Sequence, residues 1–259
     1  MEHNDSPDRE LWQAAIDSEI LSQLKNETLL PCDLPPGRKA IPLGWVFKIK
    51  PTPEGTLRYK ARIVMKGFLQ REGIDYFNTY APVAKWSSIR IVLALSTIFD
   101  WDLTHVDFET AFMIPKMDAE VYIKIIDGMQ ELTPGGNIAR MLKGVNGCKQ
   151  GSKLFYDEVK DFLLTLGFTM SIFDSCIFFK FADGEICIIV VWVDDLLIAS
   201  AGTVTSTFLL ENLSKKYKYK AIKEPVLFLG VKLKRDRKAK TLSINQQEYF
   251  EELLKKFSM

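Results

Sequence analysis

Two adjacent aspartates, Asp194 and Asp195, interrupt an otherwise apolar stretch that reads ICIIVVWVDDLLIAS over Ile186–Ser200. Neighbouring charges in so apolar a setting are costly unless water or cations neutralise them. A turn at Asp194-Asp195 would present both carboxylates at the edge of a sheet. The plain alternative is a hairpin with an acidic turn, although Asp-Asp is a poor tight-turn pair beside Asn-Gly. A third aspartate, Asp107, ends an independent apolar strand 87 residues earlier. Phosphoryl transfer by two metal ions needs carboxylates from separate strands, converging on ions roughly 3.5–4 Å apart. Hard cations such as Mg²⁺ suit carboxylate oxygens. Asp107, Asp194 and Asp195 are therefore expected to lie together and to hold two Mg²⁺ (or Mn²⁺) ions.

The elements that must position these residues follow from periodicity and turn signals. Ser6-Pro7 reads as the start of a helix over 7–25, on which Trp12, Ile16, Ile20 and Leu24 step by four. Trp45–Lys50 and Leu57–Lys66 read as a hairpin around Pro51, Pro53 and Gly55, with Lys and Arg dominating one side. A helix is expected over Ser88–Phe99, strands over Leu103–Phe108 and Val121–Ile126, and a helix from Ser152 closed by Gly167. Asp183-Gly184 is a hairpin signal between Phe178–Phe181 and Ile186–Trp192. Leu196–Ala199 reads as a further strand and Thr205–Tyr217 as a helix. Leu227–Leu233 and Thr241–Ile244 read as strands and Gln246–Phe257 as a last helix. Hairpins mixed with helices predict an α+β fold rather than strict βαβ alternation.

The chain of 259 residues is 47% hydrophobic, enough for a sizeable core or for two subdomains. Its net charge of +1 hides an uneven distribution: Arg38–Arg71 carries +8, Ser214–Lys240 carries +9, and the rest sums to −16. Two basic blocks on an otherwise acidic chain fit a localised polyanion surface, or two solvated lysine-rich faces. Cys32, Cys148, Cys176 and Cys187 form no C-x-x-C pair, and His3 and His105 stand far apart. A zinc site or disulfide framework is not expected. No signal peptide opens the chain, and its longest apolar run, Ile186–Val193, falls far short of a membrane span. The expected setting is intracellular, cytoplasmic or nuclear, with no membrane partner. GCKQGSK at Gly147–Lys153 lacks the order of a phosphate-binding P-loop.

Five blocks occur in an order that resembles one known family. LRYKARIVMKGFLQ (Leu57–Gln70), continued by GIDYFNTYAPVAKWSSIR (Gly73–Arg90), is similar to the opening block of copia-type reverse transcriptases of LTR retrotransposons. THVDFETAF (Thr104–Phe112) resembles their first catalytic motif, and NGCKQGSKLFY (Asn146–Tyr156) their template- and nucleotide-binding motif. WVDD (Trp192–Asp195) resembles their aromatic-x-Asp-Asp motif, and LFLGVKL (Leu227–Leu233) a later motif near the primer grip.

The resemblance implies a right-hand polymerase: an antiparallel palm sheet packed on helices, with interleaved fingers and the thumb largely absent. On it, residues 1–30 are a helix and lead-in. Fingers lie at about 38–100 and 113–155, palm at about 101–112 and 156–245, and the start of a thumb at 246–259. Asp107 and Asp194 would hold the metals and Asp195 would assist. Phe112 matches the bulky residue that rejects a ribose 2′-hydroxyl. Gln150 and Gly151 match contacts to the incoming nucleotide. Lys60 and Arg62 match the residues that grip the triphosphate. Lys220 is a weaker candidate for the acid that protonates pyrophosphate. The implied partners are an RNA or DNA template with primer, and dNTPs. The sequence departs from the family's pattern at Trp192, where Tyr is usual, at Met113-Ile114-Pro115, around Ile126-Asp127, at Val145–Cys148, and at Lys153 and Phe155. Two rival readings remain: a transposon-derived nucleic-acid-binding remnant without activity, and a two-metal nuclease. A nuclease has no need of Phe112 with Gln150-Gly151.

Overall fold

Alternating apolar residues, punctuated by Gly, Pro and Asp, give a chain of short strands and five α-helices in a computed structural model that describes residues 8–51, 56–182 and 184–258. In chain order these are α1 (Arg9–Lys25), β1 (Leu29–Pro31), β2 (Ala40–Pro51), β3 (Leu57–Met65), α2 (Trp86–Ile98), β4 (Asp102–Phe108), β5 (Tyr122–Lys124) and β6 (Ile138–Met141). Then come α3 (Gly151–Thr165), β7 (Thr169–Met170), β8 (Ile177–Ala182), β9 (Glu185–Trp192), β10 (Asp195–Ser200) and α4 (Val204–Lys216). The chain closes with β11 (Tyr219–Lys223), β12 (Leu227–Phe228), β13 (Val231–Asp236), β14 (Thr241–Asn245) and α5 (Gln247–Lys256). The α+β expectation holds. Ser6-Pro7, Pro53, Gly55 and Asp183 lie outside the described residues.

The chain divides into two compact units that interleave in sequence. The first comprises Met1–Ala81 and Thr110–Glu158. Its five-stranded sheet has the order β1-β6-β5-β2-β3, antiparallel except for the β2–β5 pair. Ile41, Leu43, Ile63, Ile123, Met129 and Met141 form its dry centre. Along β2–β3 the register pairs Lys50 with Arg58, Lys48 with Lys60 and Val46 with Arg62. Side chains alternate across a strand, so these five cations share one face. Ala61, Ile63 and Met65 fall on the other face and are buried.

The second unit comprises Pro82–Glu109 and Val159–Met259. Its six-stranded sheet, in the order β11-β4-β10-β9-β8-β7, is antiparallel throughout. A smaller antiparallel sheet follows in the order β12-β13-β14. Residues 82–100 belong to this second unit. The reason is that α2 is fastened at both ends to second-unit elements. The Asp174 carboxylate accepts from the Lys85 N–H at 2.9 Å and the Ser88 hydroxyl at 2.6 Å, which caps the helix start. At the other end Arg235 donates to the Ser96 carbonyl at 2.7 Å.

Two expectations need correction. Leu227–Leu233 is not one strand but the hairpin β12–β13, because Leu229 and Gly230 both take positive φ, 51° and 75°. Two left-handed residues in succession make the tight turn that suits a hairpin. The second correction is four strands that alternation did not announce: β1, β6, β7 and β11.

Candidate active site

The register of the six-stranded sheet brings the acids together. β4 and β10 pair antiparallel with Asp107 directly opposite Asp195. The Phe108 N–H donates to the Asp194 carbonyl at 3.1 Å, so 108 and 194 form a hydrogen-bonded pair. The Asp107–Asp195 pair is then of the non-hydrogen-bonded kind, whose Cα atoms approach to ~4.5 Å and whose side chains lie closest. Asp107 also pairs with Lys220 on β11, and Asp195 with Trp192 on β9. Lys220, Asp107, Asp195 and Trp192 thus form one row across four strands, on one face of the sheet.

The turn that ends this row differs from the expected one. Val193 and Asp194 are its two central residues, and Asp195 is already the first residue of β10. Val193 sits at φ 50°, a left-handed conformation that a β-branched side chain rarely adopts. Asp107 is exposed and the Asp195 side chain is 24% exposed. One row further in, Leu197 is buried opposite His105, and two rows in Ala199 and Leu103 are both buried, so the acids mark where the apolar sheet face meets water.

His105, set aside in the sequence as a solitary histidine, lies beside the acids. It is on the same face as Asp107, two residues back, and its Nε2 is 2.6 Å from Asp195 Oδ1. Its ring meets Phe228 of β12 edge-on, 5.4 Å between centroids. The signal that could have found it was the i−2 spacing from Asp107 on a strand, which puts both side chains on one face. Trp192 in turn lies 6.1 Å from Trp86, the first residue of α2.

Among the described residues no group of three or more His, Cys, Asp or Glu side chains is gathered into a metal cage. Asp107 and Asp195 are instead opposed across the β4–β10 pair, and Asp194 precedes Asp195 in the turn. A pair of carboxylates is the kind of donor set Mg²⁺ uses when it is held together with substrate phosphates rather than by an all-protein cage.

In the first unit, Phe112 follows Thr110, which is left-handed at φ 55°, and lies half-buried in a short 3₁₀ turn, Ala111–Met113. A Cβ on Gly151 would lie 3.4 Å from the Phe112 ring, so these two expected site residues are neighbours. The Gln150 side chain is buried. Its Nε2 donates to the Asp75 carbonyl at 2.9 Å, and its Oε1 accepts from Gln70 Nε2 at 2.9 Å and lies 3.0 Å from Cys148 Sγ. The amide therefore fastens the 70–76 loop to the start of α3. Gly147 likewise serves packing: a Cβ there would fall 2.3 Å from the Met65 carbonyl oxygen.

Lys60 and Arg62 are half-buried on the cationic face of β2–β3. Burial, then repulsion from Arg62, Lys50 and Arg58, holds the Lys60 ammonium below its ordinary pKa. A bound polyanion would relieve that repulsion. Two arginines of the second basic block are engaged within the protein. Arg237 bonds to Asp102 at 2.5 Å and Glu224 at 2.6 Å, and Arg235 to the Trp101 carbonyl and Asp100.

The family model described as "Reverse transcriptase (RNA-dependent DNA polymerase)" matches residues 26–259. The retrovirus-related Pol polyprotein from transposon TNT 1-94 of Nicotiana tabacum is 31% identical over 255 residues, which is 98% of this chain and 19% of that protein. The corresponding polyprotein from transposon RE2 of Arabidopsis thaliana is 35% identical over 251 residues, 96% of this chain and 17% of that protein. The chain thus spans about a fifth of the length of these relatives. A foamy viral protease–reverse transcriptase in complex with double-stranded DNA aligns over 85% of this chain and 33% of its own, with a TM-score of 0.42 and 18% identity.

Proposed function

The chain belongs to the reverse transcriptases of copia-type transposon Pol polyproteins, and from that premise we propose that its second unit carries a nucleotidyl-transfer site that extends a primer along a template. The observation that carries this reading is the row Lys220–Asp107–Asp195–Trp192, with Asp194 in the adjoining turn. In this reading the second unit is the palm and the cationic hairpin of the first unit belongs to the fingers.

Asp107, Asp194 and Asp195 are the residues that would hold Mg²⁺ or Mn²⁺. Bound there, the ions supply Lewis acidity, which eases loss of the primer 3′-hydroxyl proton and neutralises charge on the departing pyrophosphate. The chain's own residues do the rest. Lys220 faces Asp107 across the β4–β11 pair and is exposed, placed to donate a proton to pyrophosphate. Trp192, next in the row, offers an apolar surface for the primer end. Phe112 fills the space that a ribose 2′-hydroxyl would need, and Gly151 leaves room for its ring. Gln150 acts indirectly, by holding the loop that precedes it in the first unit. Lys60 and Arg62 neutralise phosphates through the cationic face.

Primer extension and nuclease assays on one preparation test the proposal. Incorporation of the dNTP complementary to the template, with the matching ribonucleotide refused, is the expected result. Metal-dependent cleavage without extension would replace this reading with the nuclease one, and duplex binding without either activity would leave a non-enzymatic remnant.

A further inference from the structure

We infer that His105 is a positioning residue for Asp195, a role that rests on the nucleotidyl-transfer reading above. Three observations carry it. His105 and Asp195 are diagonal neighbours on one sheet face, because Leu197, not Asp195, is the register partner of His105. The Nε2–Oδ1 separation is 2.6 Å, and a carboxylate can only accept, so the imidazole donates. Both side chains are mostly withdrawn from water, at 14% and 24% exposure, where such a bond is strong.

The ring cannot easily swing away. Phe228 is buried and meets it edge-on, and Phe228 is held by the tight Leu229-Gly230 turn between β12 and β13. The small sheet thus reaches the acid row through one aromatic contact. Asp195 and Asp107 directly face each other, and two carboxylates so close repel. Donation from His105 claims one oxygen of Asp195, fixes that carboxylate's rotamer and separates its part from that of Asp107. Partners of this kind orient metal-binding carboxylates, and losing them typically lowers metal affinity or activity by about 10- to 100-fold.

The test compares His105→Leu, which cannot donate, with His105→Gln, which can. Steady-state extension on a template–primer gives kcat and the dNTP KM. Electron paramagnetic resonance of added Mn²⁺ gives metal affinity without requiring turnover. His105→Leu should lower kcat about 10- to 100-fold and weaken Mn²⁺ binding about 10-fold, with the dNTP KM changed less than about twofold. His105→Gln should recover most of both. In an Asp195→Asn background, His105→Leu should cost nothing further, since the histidine acts through that carboxylate. Unchanged kcat and Mn²⁺ affinity in His105→Leu would overturn the inference. So would losses that follow the melting temperature, or that Gln fails to restore. A wild-type chain that binds Mn²⁺ in a His105-dependent way but never extends a primer would sink the polymerase reading while leaving the positioning role intact.

Discussion

Asp174 shows how one carboxylate can hold a helix in place. Burial pushes its carboxyl up, but bonds from the Ser88 hydroxyl and the Lys85 and Cys176 N–H groups outweigh this and hold it below its ordinary pKa. A depressed carboxyl contributes stability above the unfolded value of about 4, and that contribution is lost as pH falls through the folded value. Asp174→Asn should therefore cost about 1–3 kcal/mol near pH 7. Melting curves of the two proteins should converge as the pH is lowered below that of an ordinary carboxylate; a constant gap would mean the cap does not depend on charge. Burial acts in the opposite sense on the thiols, pushing Cys148, Cys176 and Cys187 up to about 12. Thiolates do the alkylating, so iodoacetamide at pH 8 should label half-buried Cys32 first, with the other three following only on unfolding. Rapid labelling of Cys176 would contradict the burial described. The sequence did not foretell Asp174 as a cap, because cap and helix are separated by more than 80 residues and meet only in the fold.

The hairpins decide where chemistry-bearing side chains point. Val193 pays for the tight β9–β10 turn with a left-handed backbone, a strain of about 1–2 kcal/mol for a residue with a Cβ. Asn tolerates that conformation better, so Val193→Asn should raise stability by about 0.5–1 kcal/mol, read as a higher melting temperature. A lower melting temperature would show that the half-buried Val side chain matters more than its φ. Strands that are continuous apolar runs bounded by turn residues, such as β9 and β10, were legible from the sequence almost to the residue. β11 was not: YKAIK shows little burial, and the strand exists because its backbone completes the edge beside β4. That missed strand is what sets Lys220 opposite Asp107. Leu229-Gly230 was read through because nothing in Leu announces a positive φ. Asp107 and Asp195 stand out in the sequence because acids in apolar strands violate the local pattern, and the register sets them opposite each other. The burial of Gln150 was not legible, because a motif specifies identity and not exposure.

The chain's near-neutral charge conceals two cationic blocks. On β2–β3, five cations share a face, while in each block two arginines are ion-paired: Arg38 and Arg71 with Asp75 in the first, Arg235 and Arg237 with Asp100, Asp102 and Glu224 in the second. Binding to template–primer duplex should weaken steeply with salt, as counterions are released. Lys60→Glu with Arg62→Glu should lower affinity and flatten the slope of log K against log salt by about one to two. Arg235→Gln should lower melting temperature instead, with the slope unaltered. An unchanged slope in the first variant would remove the hairpin from the nucleic-acid surface. Both units together supply a cationic face and an acid row, and the account stands on the acid row. Its most direct test is primer extension by Asp107→Asn and by Asp194→Asn, with Mg²⁺ or Mn²⁺, alongside thermal melting without metal. Each substitution keeps the side chain's size and removes the charge. Extension should fall to background while melting temperature stays equal or rises, because repulsion within the acid row is relieved. Extension that survives either substitution would contradict the account, as would a loss of extension that merely accompanies unfolding.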